Sequence, residues 1–117
     1  MNCTVLMPYP PPVNNLFVNR PRGGRFPSKR YVEWQAEALM MLNKQELPTT
    51  PIEESVTLEM SVGRPDKRKR DISNLIKAPE DMLVKAGILK DDSQVEDLRI
   101  KWDSEVVGIQ VDVWQQK

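Results

Sequence analysis

The sequence predicts a mixed α/β fold of α+β type: a single domain over residues 1–117, with two main helices packed on a mixed sheet in the order β-α-β-α-β-β. Three observations carry this. Residues 56–62 alternate apolar and polar side chains, the period of a half-buried strand. Residues 72–86 repeat apolar side chains at helical spacing and stop at a glycine. A chain of 117 residues has enough material for one core and too little for two.

The elements follow in chain order. CTVLMPYPPP reads as a short strand ended by prolines, which cannot donate to a sheet ladder. VNNLFVNRPRGGRFPSK reads as a long irregular connection, of a length that compact domains often reserve for function. Ser28 is placed to cap a helix over residues 29–45, with Tyr31, Trp34, Ala38 and Met41 facing the core. Pro48 and Pro51 break that helix.

SVTLEMSV is the alternating strand, and a cationic run follows it. In the second helix Ile72, Leu75, Ile76, Met82, Leu83 and Ala86 share one face, with Ser73, Asn74, Lys77, Glu80 and Asp81 opposite. Pro79 implies either a kink or a late helix start. Gly87 stands where a left-handed C-terminal cap is expected. ILKDDSQV is a turn or short extended piece, and VEDLRIKWD and VVGIQVDVWQ read as two strands of a hairpin.

Composition narrows the chemistry. With no histidine and only Cys3, the chain lacks the parts for His-dependent triads and for His- or thiolate-based zinc sites. Catalysis has to run on carboxylates, lysine, hydroxyls or a metal held by oxygen. No stretch approaches the ~20 apolar residues of a membrane span. The absence of a secretory signal and the lone cysteine fit a reducing cytoplasm.

The net charge of zero conceals segregation. Residues 20–30 hold five cations and no acid, residues 64–70 hold five cations against Asp66, and residues 80–105 hold eight acids and four bases. Asp71 follows the second cationic run at a strand-to-helix junction, where the helix dipole favours an acid. Asp91 and Asp92 lie in the turn after Gly87. Taken singly, Asp71 reads as a cap, Lys77 as a solvated lysine and the Asp pair as turn formers. Together they supply what a phosphodiesterase needs: oxygen ligands for Mg²⁺ and a lysine to stabilise charge on the phosphate or attacking oxygen.

Here the chain resembles the RusA family of Holliday junction resolvases. The likeness rests on MPYPPPVNN, the Ser28-initiated helix, the basic run into RDISNLIKAPEDMLVKAGIL, and KDDSQV. The resemblance implies a homodimeric, Mg²⁺-dependent endonuclease, with Mn²⁺ as a substitute ion, that resolves four-way DNA junctions by paired nicks in recombination and repair. It implies a phage or prophage gene acting in the cytoplasm of a bacterial host, and no membrane. By position, Asp71 and Asp92 correspond to catalytic, metal-binding aspartates, Lys77 to the catalytic lysine and Asn74 to the asparagine of the RD-x-x-N motif. Lys67, Arg68, Lys69, Arg70 and Asn74, with Arg20, Arg22 and Arg25, become the DNA-contacting set.

One position departs. Many members read RDLDN, and Ser73 stands here in place of the second aspartate. A hydroxyl is a poorer Mg²⁺ ligand, so Glu80, seven residues on, is a candidate replacement and Asp91 a further one. On one continuous helix Ser73 and Glu80 would lie roughly 10 Å apart along the axis. The alternative is a catalytically weak branched-DNA-binding protein of the same fold. A third reading makes the acids purely structural.

Overall fold

The alternating run forms β4 (Val56–Val62), whose inward side chains Val56, Leu58, Met60 and Val62 are fully buried or nearly so. The structure, a computed structural model, describes residues 2–116. The other elements are β1 (Asn2–Met7), β2 (Phe17–Asn19), β3 (Arg25–Pro27), α1 (Lys29–Leu42), α2 (Lys77–Lys85), β5 (Val95–Trp102) and β6 (Ile109–Gln115). Short 3-10 turns lie at Val13–Asn15, Ile72–Leu75 and Asp92–Gln94.

The main sheet has four strands in the order β1-β6-β4-β5. β4 pairs parallel with β5 and antiparallel with β6, and β1 pairs antiparallel with β6. This corrects the expected β5–β6 hairpin, since β4 lies between those two strands. The burial patterns explain the order. β6 buries Ile109, Val111 and Val113 as an interior strand does, whereas no residue of β5 is fully buried, as suits an edge. The connection over residues 103–108 therefore crosses the end of β4, where the Asp103 amide donates to the Val62 carbonyl at 2.8 Å and that of Gly63 to Gly108 at 2.9 Å.

Both expected helices are present with revised limits. Ser28 caps α1, its Oγ accepting from the Tyr31 amide at 3.1 Å. The helix ends at Leu42, and Leu42 takes the buried position expected of Met41. The second helix is two pieces: the 3-10 turn Ile72–Leu75, then α2 from Lys77. Pro79 resolves as a late start, because in the first turn its missing amide forfeits no helical hydrogen bond. Gly87 adopts φ +79°, and the Ile88 amide reaches back to the Leu83 carbonyl at 2.9 Å, closing the helix as expected.

The expected irregular segment contains a small antiparallel hairpin of β2 and β3, with Val18 opposite Phe26. Both helices join the inward sheet residues in one core, from α1 through Tyr31, Trp34, Ala38 and Leu42 and from α2 through Ala78, Met82 and Leu83. Each fully buried large side chain there contributes about 1.5–3 kcal/mol.

Candidate active site

The cationic run leaves β4 at a pinned point. A Cβ on Gly63 would stand 1.8 Å from the Val106 carbonyl oxygen, so only glycine fits beneath the 103–108 crossing. Within the run, Asp66 acts as a staple. Its Oδ2 accepts from Arg68 Nη2 at 2.9 Å and Arg70 Nη2 at 2.7 Å, and its Oδ1 from the Arg68 amide at 2.9 Å. The Arg68 side chain, then Arg70, holds the Asp66 carboxyl well below its ordinary 3.8. Arg70 also lies 5.7 Å from the Tyr9 ring, and Arg64 4.3 Å from that of Trp102. Lys67 and Lys69 are exposed and have no ion pair among the described residues.

Asp71 caps the 3-10 turn that follows. Its Oδ1 accepts from the Ser73 amide at 3.3 Å and the Ser73 hydroxyl at 2.8 Å, so Ser73 points its oxygen at Asp71. Asn74 donates its amide to the Asp71 carbonyl at 3.2 Å. Because the helix begins only at Lys77, Ser73 and Glu80 do not share one continuous axis, and the two-turn spacing expected between them does not apply.

The first turns of α2 present Lys77, Glu80 and Asp81 together, as i, i+3 and i+4 positions must be. Facing them is the 3-10 turn that begins at Asp92. Lys77 Nζ is 3.0 Å from Asp81 Oδ1 and 3.9 Å from Asp92 Oδ2. One carboxylate oxygen from each of Glu80, Asp81 and Asp92 lies within 4.8 Å of the other two. Burial raises the Glu80 pKa and the Asp92 charge raises it further, while the hydrogen bond to Asp81 leads the rise at Lys77. These shifts describe a cluster with excess negative potential, partly balanced by one ammonium.

Gln94 fixes that turn. Its Oε1 accepts from the amides of Lys90 and Asp91 at 2.8 and 2.7 Å, and its Nε2 donates to the carbonyls of Ile52 and Glu54 at 2.6 and 2.9 Å. Asp91 is occupied as the cap of the same turn, accepting from the amide and hydroxyl of Ser93. Asp92 is left to face α2.

The donor set fits a hard divalent cation. It is all carboxylate oxygen, and it is half-buried at Glu80 and Asp81 and exposed at Asp92, leaving room for water and a phosphate oxygen. The 4.8 Å limit on mutual separation is close to the roughly 4 Å across opposite ligands of a Mg²⁺ shell at 2.0–2.1 Å.

Of the expected site residues, the structure therefore brings Lys77, Glu80 and Asp92 together. Asp71 is not in the three-carboxylate group and is engaged with Ser73. Asp81 is the residue that sequence reasoning passed over. Its signal was present, since it sits four residues after Lys77 on the same polar face. Arg20, Arg22 and Arg25 lie on the β2–β3 hairpin and its tip.

The hairpin is fixed to α1. Phe17 meets Tyr31 edge-on, with centroids 5.7 Å apart. Burial chiefly raises the Tyr31 hydroxyl, and Asp81 beside it adds to the rise.

A carboxylate cluster with an embedded lysine, in a chain that also carries two cationic segments, defines a domain equipped to hold a divalent cation against a polyanion. The chain belongs to the RusA endodeoxyribonuclease family, whose model matches residues 8–114. It is 33% identical over 87 residues to a crossover junction endodeoxyribonuclease RusA of Aquifex aeolicus, covering 74% of this chain and 68% of that protein. The protein of that name from Escherichia coli K12 is 31% identical over 97 residues, covering 83% and 79%. One from Enterobacteria phage HK97 is 27% identical over 96 residues, covering 81% and 78%.

Proposed function

We propose that this protein is a divalent-metal-dependent, structure-selective DNA endonuclease that resolves four-way junctions by paired nicks. The observation that carries the reading is the convergence of Glu80, Asp81 and Asp92 on Lys77 in a chain of this family. Mg²⁺ is the ion best matched to the ligands, with Mn²⁺ able to replace it; once bound, it supplies charge stabilisation at the scissile phosphate and an activated water.

In this reading Asp92, Glu80 and Asp81 hold the ion. Asp71, whose Oδ1 takes both Ser73 contacts, would add its carboxylate to the ion's ligands from the loop side. Lys77 holds its proton and offers Nζ to the phosphate or the attacking oxygen, with Asp81 orienting it. Lys67 and Lys69 contact the DNA backbone directly, and Arg68 and Arg70 do so in exchange for Asp66. Asn74 and the hairpin arginines Arg20, Arg22 and Arg25 extend the contact.

A homodimer would set two such clusters against a two-fold junction, the symmetry that paired nicks require. The site of action is the cytoplasm of a bacterial cell, and one relative comes from a phage. No helix among the described residues is long and apolar enough to cross a membrane.

Incubation with a synthetic four-way junction, with and without Mg²⁺, on a denaturing gel tests this. Symmetric nicks only with metal are expected from the wild type and none from Lys77→Ala, which should still bind the junction and keep its fold. A wild type that binds without nicking would leave the branched-DNA-binding alternative. Sedimentation should show a dimer at micromolar concentration; a concentration-independent monomer removes the paired-nick mechanism.

A further inference from the structure

The β2–β3 hairpin presents a second surface that the acid cluster does not use. Paired residues on adjacent strands share a face, so Val18 and Phe26 point one way while Phe17 and Arg25 flank them on the other. The latter face is anchored: Phe17 packs against Tyr31, and the Arg25 guanidinium lies 4.6 Å from the Phe17 ring. On the opposite face Val18 is 44% exposed and Phe26 38%, and the Arg20 guanidinium lies 5.2 Å from the Phe26 ring.

The tip is preformed rather than loose. Gly23 and Gly24 take φ of +91° and +81°, and the Arg20 amide donates to the Gly24 carbonyl at 3.0 Å. Arg20, Pro21, Arg22, Gly23 and Phe26 line an open hollow there.

Charge identifies the occupant. Residues 20–30 carry five cations and no acid, and among the described residues only Lys29 of these forms an ion pair, at 3.9 Å to Glu33. This surface is therefore built for a polyanion. Paired duplex DNA offers phosphates and groove edges, but no ring face for Phe26. A strand with an unpaired base offers both the backbone and a π-face, and aromatic stacking beside arginine is the sequence-tolerant way to hold it.

We infer that Val18, Phe26 and Arg20 form a stacking platform for an unpaired nucleobase of the DNA substrate. The inference rests on the proposed DNA-cleaving function. Through the Phe17–Tyr31 contact the platform is fixed to α1, which shares one core with α2. Phe26 then acts in substrate selection, and the chemistry stays with the acids.

Full-length protein in EDTA, titrated by fluorescence anisotropy, tests this with three probes of equal length: an oligothymidylate, a perfect duplex and a duplex with a central unpaired bulge. Phe26→Ala should weaken oligothymidylate and bulge binding by roughly 5- to 150-fold, the range for loss of one stacked base. Duplex affinity should be unchanged, and Phe26→Trp should restore bulge binding. Unfolding curves of each variant establish that the fold is intact. Equal loss on all three probes, or no loss on any, overturns the platform. If Phe26→Ala matches the wild type while the wild type still nicks junctions, the platform alone falls. A wild type that binds none of the probes and nicks no junction overturns the function as well.

Discussion

Gln94 Nε2 donates to the carbonyl of Ile52 at 2.6 Å, tying the turn that carries Asp92 to a segment 42 residues upstream. The Gln94 side chain bonds backbone groups of Ile52, Glu54, Lys90 and Asp91 rather than the side chains of Lys77 or the clustered acids, so it is a positioning residue. Gln94→Leu should cost about 1 kcal/mol, the net worth of a hydrogen bond, because most of the groups it frees are exposed and can turn to water. It should also weaken Mn²⁺ binding measured by calorimetry. Gln94→Glu should not rescue the protein, because a carboxylate cannot donate to the Ile52 and Glu54 carbonyls. Normal metal affinity in Gln94→Leu would show that Asp92 is held without it.

Ser73 and Glu80 are expected to be coupled. With an aspartate at position 73, a second loop-side carboxylate would join Asp71, so Ser73→Asp should tighten Mg²⁺ binding and raise cleavage most at low Mg²⁺. Glu80→Gln should cripple the natural protein and matter much less in the Ser73→Asp background. Four superimposable metal titrations across this cycle would remove both residues from the site.

On the proposed DNA contacts, Asp66 would compete with phosphates for Arg68 and Arg70, which it holds in the free protein. Asp66→Asn should therefore strengthen junction binding at low salt and steepen its log–log salt dependence by about one unit for each additional phosphate neutralised. The pH dependence has a definite sign. Because the folded-state pKa is depressed, the staple contributes fully above the ordinary 3.8 and is lost as pH falls through the lower folded value. NMR titration of the Asp66 carboxyl should place its midpoint below 3.8 in the wild type. An unshifted midpoint would remove the staple.

Gly63→Ala should destabilise the domain by about 1–3 kcal/mol, because the new methyl meets backbone that cannot rotate away. Val107→Ala, on the same crossing but 94% exposed, should change stability by less than ~0.5 kcal/mol. Equal thermal midpoints for the two variants would show that the crossing yields easily.

What was legible in the sequence was local. The Ser28 cap, the Gly87 stop and the β4 alternation each depend on chemistry within a few residues, and each stands as expected. Strand neighbours did not follow, because alternation fixes which face is buried and not which strand lies alongside. That is why β5 and β6 looked like a hairpin. The β2–β3 hairpin escaped because strands of three residues are too short to show a period, although Gly23 and Gly24 marked its turn. The polar face of the second helix was readable, as were Lys77 and Glu80 on it. The partnership of Asp81 with Asp92 depends on where a distant turn lands, and helical spacing carries no information about that.

The pairing of β1 with β6 sets an order on assembly during synthesis. Thr4 bonds Asp112 across 108 residues at 2.8 Å, and β6 also joins β1 to β4 in the sheet. Until β6 leaves the ribosome, β1 has no ladder partner and β4 has only β5. Such long-range closure is slow compared with helix formation. A nascent chain already carrying its cations, its lysine and all three clustered acids would thus lack the finished sheet beneath them. An endonuclease built this way would gain its scaffold only after β6 emerges.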